Sequence, residues 1–262
     1  MGANVASDWD PQSYARFGDL RLRPALDLLA RVGALPEGDV IDLGCGNGAA
    51  GPALRTRFGL ARRVVGLDTS PAMLDAARKA GAYDALIRAD AAEWTAEGPV
   101  SLVFSNAALQ WLPRHDALLP RLAAELVPGG VLAVQMPRQF GAPSHRFLRD
   151  FAAEMFPDRF DPGAWSPPVA PPVVYHRMLS KLGRVDVWET DYVQRLDPVA
   201  KGHPVRRFTE STAMRPYLDR LTAAEAAEYV ERYDAALGSA YPVEADGAVL
   251  FPFRRVFFTL TV

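Results

Sequence analysis

The chain has 262 residues, 49% hydrophobic and 23% charged, which is enough for a sizeable core in one domain or in a domain with a cap. A net charge of −2 leaves no basic surplus, which argues against nucleic acid or an anionic membrane as partner. The single cysteine, Cys45, excludes an intrachain disulfide and a cysteine metal cluster, and no run approaches the ~20 apolar residues of a membrane span.

The first residues, M-G-A-N-V-A-S-D-W-D, lack the charged and apolar regions of a secretory signal. The expectation is a cytoplasmic protein with no metal, no membrane association and no obligate protein partner. In chain order, P-A-L-D-L-L-A-R-V from Pro24 has a helical pattern, and V-I-D-L from Val40 reads as a strand. A glycine loop, G-C-G-N-G from Gly44, leads to a helix near residues 49–58. Strand V-V-G-L from Val64 ends at Asp68, and a helix follows Ser70, an N-cap with Pro71 at the first helical position. Strand A-L-I-R-A from Ala85 leads to Asp90, and the strand Val100 to Ser105 leads to N-A-A-L-Q-W-L-P from Asn106. The pattern predicts a helix over 117–127 stopped by Pro128, Gly129 and Gly130, then strand V-L-A-V-Q-M from Val131.

Strands alternating with helices imply an α/β fold, a parallel sheet covered on both faces, with ligands outside the carboxyl ends of the strands. Residues 137–172 are rich in proline and read as an ordered loop or lid. A helix over 173–182, a strand from Val185, helices over 198–240 and a β-rich end from Phe251 follow; T-A-A-E from Thr222 matches a capping box.

The chemistry gathers at the glycine loop. Gly44, Gly46 and Gly48 permit a tight turn and close backbone approach to a ligand. Their G-x-G-x-G spacing departs from the G-x-G-x-x-G of dinucleotide sites and speaks against a nicotinamide-dependent reductase. Asp42 beside the loop would repel phosphate and favour a cationic ligand, such as an amino acid bearing a sulfonium. Asp68 stands where a carboxylate accepts ribose hydroxyls, about 20 residues past the loop. Asp90 can accept the exocyclic amine of adenine, and the Ala91 N–H can donate to a ring nitrogen. The bland alternative is that these aspartates cap turns or helices.

This pattern resembles the class I S-adenosylmethionine-dependent methyltransferases. The resemblance implies a Rossmann-like, mostly parallel seven-stranded sheet whose last strand is antiparallel, with a helical cap. A closer resemblance, to the trans-aconitate 2-methyltransferases, rests on W-D-P-Q-S-Y from Trp9, N-A-A-L-Q-W-L-P from Asn106, V-L-A-V-Q-M-P from Val131, R-V-D-V-W-E-T-D-Y from Arg184, T-A-M-R-P-Y-L from Thr212 and Y-P-V-E-A-D-G from Tyr241. It runs nearly end to end. It implies methylation of a trans-aconitate carboxylate with S-adenosyl-L-methionine as cofactor, and a division into an N-terminal flap (1–24), a cofactor core (25–137), a proline-rich lid (138–172), a return to the sheet (173–197), a helical cap (198–245) and a final strand (246–262). Departures from the family pattern fall at Gln139-Phe140, Phe208, Tyr175-His176 and Arg254 beside Arg255.

The implied cofactor-binding residues are Asp42, Gly44, Cys45, Gly46, Asp68, Thr69, Met73, Asp90, Ala91 and Asn106, with Cys45 a small loop residue and not a nucleophile. The implied acceptor-binding residues are Tyr14, Trp111, Tyr175, Arg215 and Arg255; Tyr14 and Phe17 would form a flap over the cofactor. Arg suits bidentate carboxylate recognition. A carboxylate is already ionised at neutral pH, so no obligate catalytic base is expected. His115 would serve as base for a hydroxyl acceptor, and otherwise starts a helix. His145, His176 and His203 lack metal-ligand spacing. Two competing readings are a methyltransferase for another small or carrier-bound acceptor and a non-catalytic S-adenosylmethionine-binding protein.

Overall fold

The centre of the sheet is built from strands whose sequences are apolar on both faces. In a computed structural model, which describes residues 18–161, 163 and 166–262, β1 (Asp39–Leu43), β2 (Val64–Asp68), β4 (Val100–Asn106) and β5 (Leu126–Pro137) are mostly buried, as strands covered by helices on both sides must be. β3 (Ala85–Arg88) is partly exposed and forms one edge. With β6 (Arg184–Leu196) and β7 (Val249–Thr261) they form one seven-stranded sheet in the order β3-β2-β1-β4-β5-β7-β6. β1 to β5 pair in parallel and β7 runs antiparallel to β5. This is the mostly parallel seven-stranded sheet with an antiparallel last strand that the resemblance implies.

The described chain divides into two compact units, with boundaries inside β6 after Thr190 and inside β7 after Arg254. The sheet unit comprises the described residues up to Pro137, then 168–190 and 255–262. It carries α1 (Gly18–Arg31), α2 (Gly51–Phe58), α3 (Pro71–Ala80), α4 (His115–Ala124) and α6 (Pro172–Leu179). α3 follows its sequence signals closely. Ser70 Oγ accepts the Met73 N–H, Pro71 occupies the first turn, and Gly81 closes the helix at φ +63°. α1 reaches back to Gly18, so Pro24 lies inside it.

The second unit comprises 138–167 and 191–254. Its described helices are α5 (Pro143–Met155), α7 (Pro204–Glu210), α8 (Arg215–Leu218) and α9 (Ala223–Ala240). The capping box at Thr222 and Glu225 is formed. α9 packs on α5 through two buried tyrosines: Tyr229 donates to the Leu148 carbonyl and Tyr233 to the Ser144 carbonyl, each at 2.7 Å. Phe208, Phe251 and Phe253 close a triangle of edge-to-face rings.

Two elements differ from the sequence expectation. The helix placed over 117–127 ends at Ala124, and β5 begins at Leu126. Leu126 pairs with Val100, and Pro128-Gly129-Gly130 is a bend within the strand. Gly129 takes φ +80°, its N–H donates to the Val262 carbonyl, and Val262 N–H donates to Gly130. Tertiary pairing satisfies the backbone where local sequence reads as a stop. Within 137–172, read as loop or lid, 13 residues form α5. Pro143 opens that helix, no proline falls later in it, and Ser144, Leu148 and Ala152 are buried at four-residue spacing.

Candidate cofactor and acceptor site

The loop between β1 and α2 is shaped by glycine geometry. Gly44 and Gly46 take φ of +75° and +54°. A Cβ on Gly44 would stand 2.2 Å from the Ala108 Cβ, so the loop lies against the segment after β4 with no room for a side chain. The Gly44 and Cys45 N–H groups both donate to the Leu67 carbonyl at 2.8 Å, pinning the loop to the end of β2.

Asp68 completes this pin. Its two carboxylate oxygens accept the Gly46 and Ser70 N–H groups, each at 2.9 Å. A carboxylate has about four lone-pair sites, so two inward bonds leave acceptor capacity on its exposed side. Thr69 follows it, exposed, and Met73 is buried in the first turn of α3. Asp90, exposed two residues beyond β3, accepts the Ala92 N–H at 2.8 Å, a turn-stabilising role, and Ala91 beside it is half-buried.

Asp42 is buried beneath the loop, and the Tyr83 hydroxyl donates to it at 2.6 Å. Burial, opposed by that hydrogen bond and reinforced by Asp68, pushes its carboxyl up to about 7. The sequence offered no signal for Tyr83, whose ring fills space left by glycines: a Cβ on Gly51 would meet it at 2.7 Å and one on Gly48 at 3.2 Å. Burial also pushes the Cys45 thiol up, with Asp42 and Asp68 adding repulsion, so it is a neutral core group packed near Leu74 and Ala77.

The segment after β4 forms the facing rim. Ser105 donates to the Leu43 carbonyl at 2.8 Å. Ala107 takes φ +54°, which costs a non-glycine residue roughly 1 kcal/mol. Its N–H donates to the Gln135 carbonyl at 2.9 Å and its carbonyl accepts Gln110 Nε2 at 2.7 Å, which hold the turn in place. Asn106 Oδ1 is buried with no hydrogen-bond partner among the described residues, and so is Gln110 Oε1.

A family model for a methyltransferase domain matches residues 40–130, from β1 to the bend of β5. The trans-aconitate 2-methyltransferase of Methylobacterium nodulans is 46% identical over 255 residues, covering 96% of this chain and 97% of that protein. The chain belongs to the trans-aconitate 2-methyltransferase family. Its relative of that name in Klebsiella pneumoniae is 39% identical, with 96% of each chain covered. The fold is similar to Haemonchus contortus phosphoethanolamine N-methyltransferase 2 in complex with S-adenosyl-L-methionine, at TM-score 0.55 and 18% identity over 95% of this chain and 56% of that one. Bacillus subtilis YcgJ matches with TM-score 0.55 at 13% identity.

As a member of the trans-aconitate 2-methyltransferase family, the chain is an S-adenosylmethionine-dependent methyltransferase. The residues suit that cofactor. The cradle at Gly44 excludes a side chain, Asp68 keeps acceptor capacity for a diol, and Asn106 presents a buried unpaired oxygen at the end of β4.

The acceptor residues drawn from the resemblance are scattered by role. Tyr14 and Phe17 lie outside the described residues, as does Trp165. Trp111, in a 3-10 turn (Leu109–Trp111), is exposed. Tyr175 is a core residue: its hydroxyl lies 2.7 Å from His115 Nδ1, accepts the Ala170 N–H, and its ring packs on Phe258. His115 Nε2 sits 2.9 Å from the Leu109 carbonyl, which can only accept, so that nitrogen carries a proton and Nδ1 accepts from Tyr175. Both ring nitrogens are engaged inside the protein, which holds the imidazole in place at the start of α4. His176 is exposed.

Arg255 is buried in the sheet unit and donates to Gln135 Oε1 at 3.3 Å. Arg254 pairs bidentately with Asp191 at 2.9 Å. Arg215 opens α8, half-buried, in the second unit. Gln139, a departure from the family pattern, is buried and bonds the Pro252 carbonyl and the Arg254 N–H. Among the described residues no helix is long and apolar enough to cross a membrane, and no group of histidine, cysteine or acidic residues could hold a metal.

Proposed function

We propose that this chain transfers a methyl group from S-adenosylmethionine to a carboxylate of trans-aconitate, forming a monomethyl ester, in the cytoplasm. The observation that carries the acceptor is the near-full-length identity to relatives of that activity, which extends through α8 and β7, beyond the glycine-loop domain.

S-adenosylmethionine, when bound, supplies a sulfonium methyl open to in-line displacement by a carboxylate oxygen. The chain's residues have three tasks. The loop from Gly44 to Gly46, with Asp68, Thr69, Met73, Asp90 and Ala91, holds the adenosine end, and Asp42 and Asn106 stand toward the cationic amino acid end. Arg255 is the cation for an acceptor carboxylate, with Trp111 an apolar wall. No side chain has to remove a proton, since the nucleophile is already an anion. Rate enhancement then comes from positioning and exclusion of water.

The test is radiolabelled methyl transfer from S-adenosylmethionine to trans-aconitate. The expected product is base-labile, as an ester is. No labile label across trans-aconitate and other di- and tricarboxylates would overturn the reading. Tight S-adenosylhomocysteine binding without turnover would leave only a binding protein.

A further inference from the structure

Gln135 carries a buried hydrogen-bond donor that the fold does not use. The residue is fully buried in β5, one strand over from Asn106, with which it is in register. On its other side it pairs with Phe257 of β7, and the next pair along is Met136 with Val256, then Pro137 with Arg255. Residues paired across a sheet, and those two apart along a strand, share a face, so Asn106, Gln135 and Arg255 line one face at the carboxyl ends of β4 and β5.

The amide's orientation is fixed by chemistry. A guanidinium only donates, so the Gln135 atom facing Arg255 Nη1 is the oxygen, and Nε2 faces elsewhere. Nε2 is buried with no acceptor among the described residues. Such a donor costs about 1–3 kcal/mol unless something accepts from it. The guanidinium beside it selects an anion as that acceptor.

We infer that Gln135 Nε2, beside the Arg255 guanidinium, forms a carboxylate-binding subsite for the acceptor. This rests on the acceptor being a polycarboxylate, as proposed above. The carboxylate held is one that does not react, because an oxygen bonded to an amide N–H next to a guanidinium is a weaker nucleophile. Anchoring it one strand away from Asn106 leaves another carboxylate of the same molecule to approach the methyl group. Gln135 therefore sets selection for acids with more than one carboxylate.

The experiment compares wild type with Gln135→Met, which keeps size and removes both the donor and the oxygen facing Arg255, and Gln135→Glu, which retains a partner for Arg255 and turns the donor into an anion. KM for trans-aconitate should rise roughly tenfold in the first and more in the second, the range expected for a lost hydrogen bond to a charged group. Values of kcat should change less than KM, and S-adenosylhomocysteine affinity should stay near wild type. An unchanged KM in both variants would overturn the inference and leave the two amides, Asn106 and Gln135, as a structural pair. A parallel loss of S-adenosylhomocysteine affinity would also overturn it, by assigning the donor to the cofactor. If wild type itself makes no ester from trans-aconitate, it is the function proposed above that fails.

Discussion

The two units of the chain solve their polar problems in opposite ways. In the sheet unit, around the glycine loop, backbone N–H groups do the bonding: Gly44 and Cys45 donate to Leu67, and Gly46 and Ser70 donate to Asp68. In the second unit, long side chains reach to distant partners: Tyr229 and Tyr233 cap carbonyls of α5, Arg206 pairs with Asp234, and Arg159 with Glu225. A backbone-built cradle leaves spare acceptor capacity on side chains: the remaining lone pairs of Asp68 and the unpartnered oxygen of Asn106. A side-chain-built bundle spends them on itself. Changes in the first should alter ligand affinity, and changes in the second should alter stability.

The largest break of that contrast is Gly44→Ala. Its Cβ would collide with Ala108 at a backbone angle alanine disfavours, and S-adenosylhomocysteine affinity should fall on the order of 100-fold, about 3 kcal/mol. Calorimetry reads this directly, and an unchanged Kd would remove the loop from the cofactor site. Asp68→Asn is next, at roughly tenfold weaker binding, because one backbone donor keeps only a neutral acceptor and the other faces an NH2 group.

Asp42→Asn gives a pH-dependent signature. The folded carboxyl keeps its proton up to about 7, against 3.8 for a free side chain. The folded state thus binds more protons between those values, and wild type loses stability as pH rises from about 4 to about 7. Asparagine carries no such loss, so in ligand-free protein the melting temperature of the variant relative to wild type should increase between pH 5 and pH 8. A constant difference across that range would mean Asp42 ionises freely beneath the loop.

The smallest effect comes from the second unit. Thr222→Ala removes the capping box of α9 and should cost about 1 kcal/mol, read as a drop of a few degrees in melting temperature. Cofactor affinity should not change. If it did, the separation between ligand chemistry and side-chain scaffolding would not hold.

Legibility followed the same division. Ser70-Pro71, the glycine loop and the capping box are local signals, and each formed where its residues predicted. Signals that depend on distant partners misled or stayed silent. Pro128-Gly129-Gly130 reads as a helix stop, yet β4 and Val262 draw it into a strand. Tyr175 reads as an acceptor residue through its family position, and only the folded chain brings its hydroxyl to His115. Tyr83 and Gln135 sit in ordinary apolar runs, and their roles follow from what lies opposite: Asp42 for one, Arg255 for the other.

The adjacent arginines of β7 have a consequence for how that strand finds its place. Arg254 points to a half-exposed carboxylate, Asp191, while Arg255 is sealed against an amide, Gln135. Because neighbours along a strand face opposite ways, a slip of one residue would drive Arg254 into the interior and strand Arg255 outside. Two like charges side by side thus act as a vernier for the strand: the doublet fits in one alignment and is penalised in its nearest competitors.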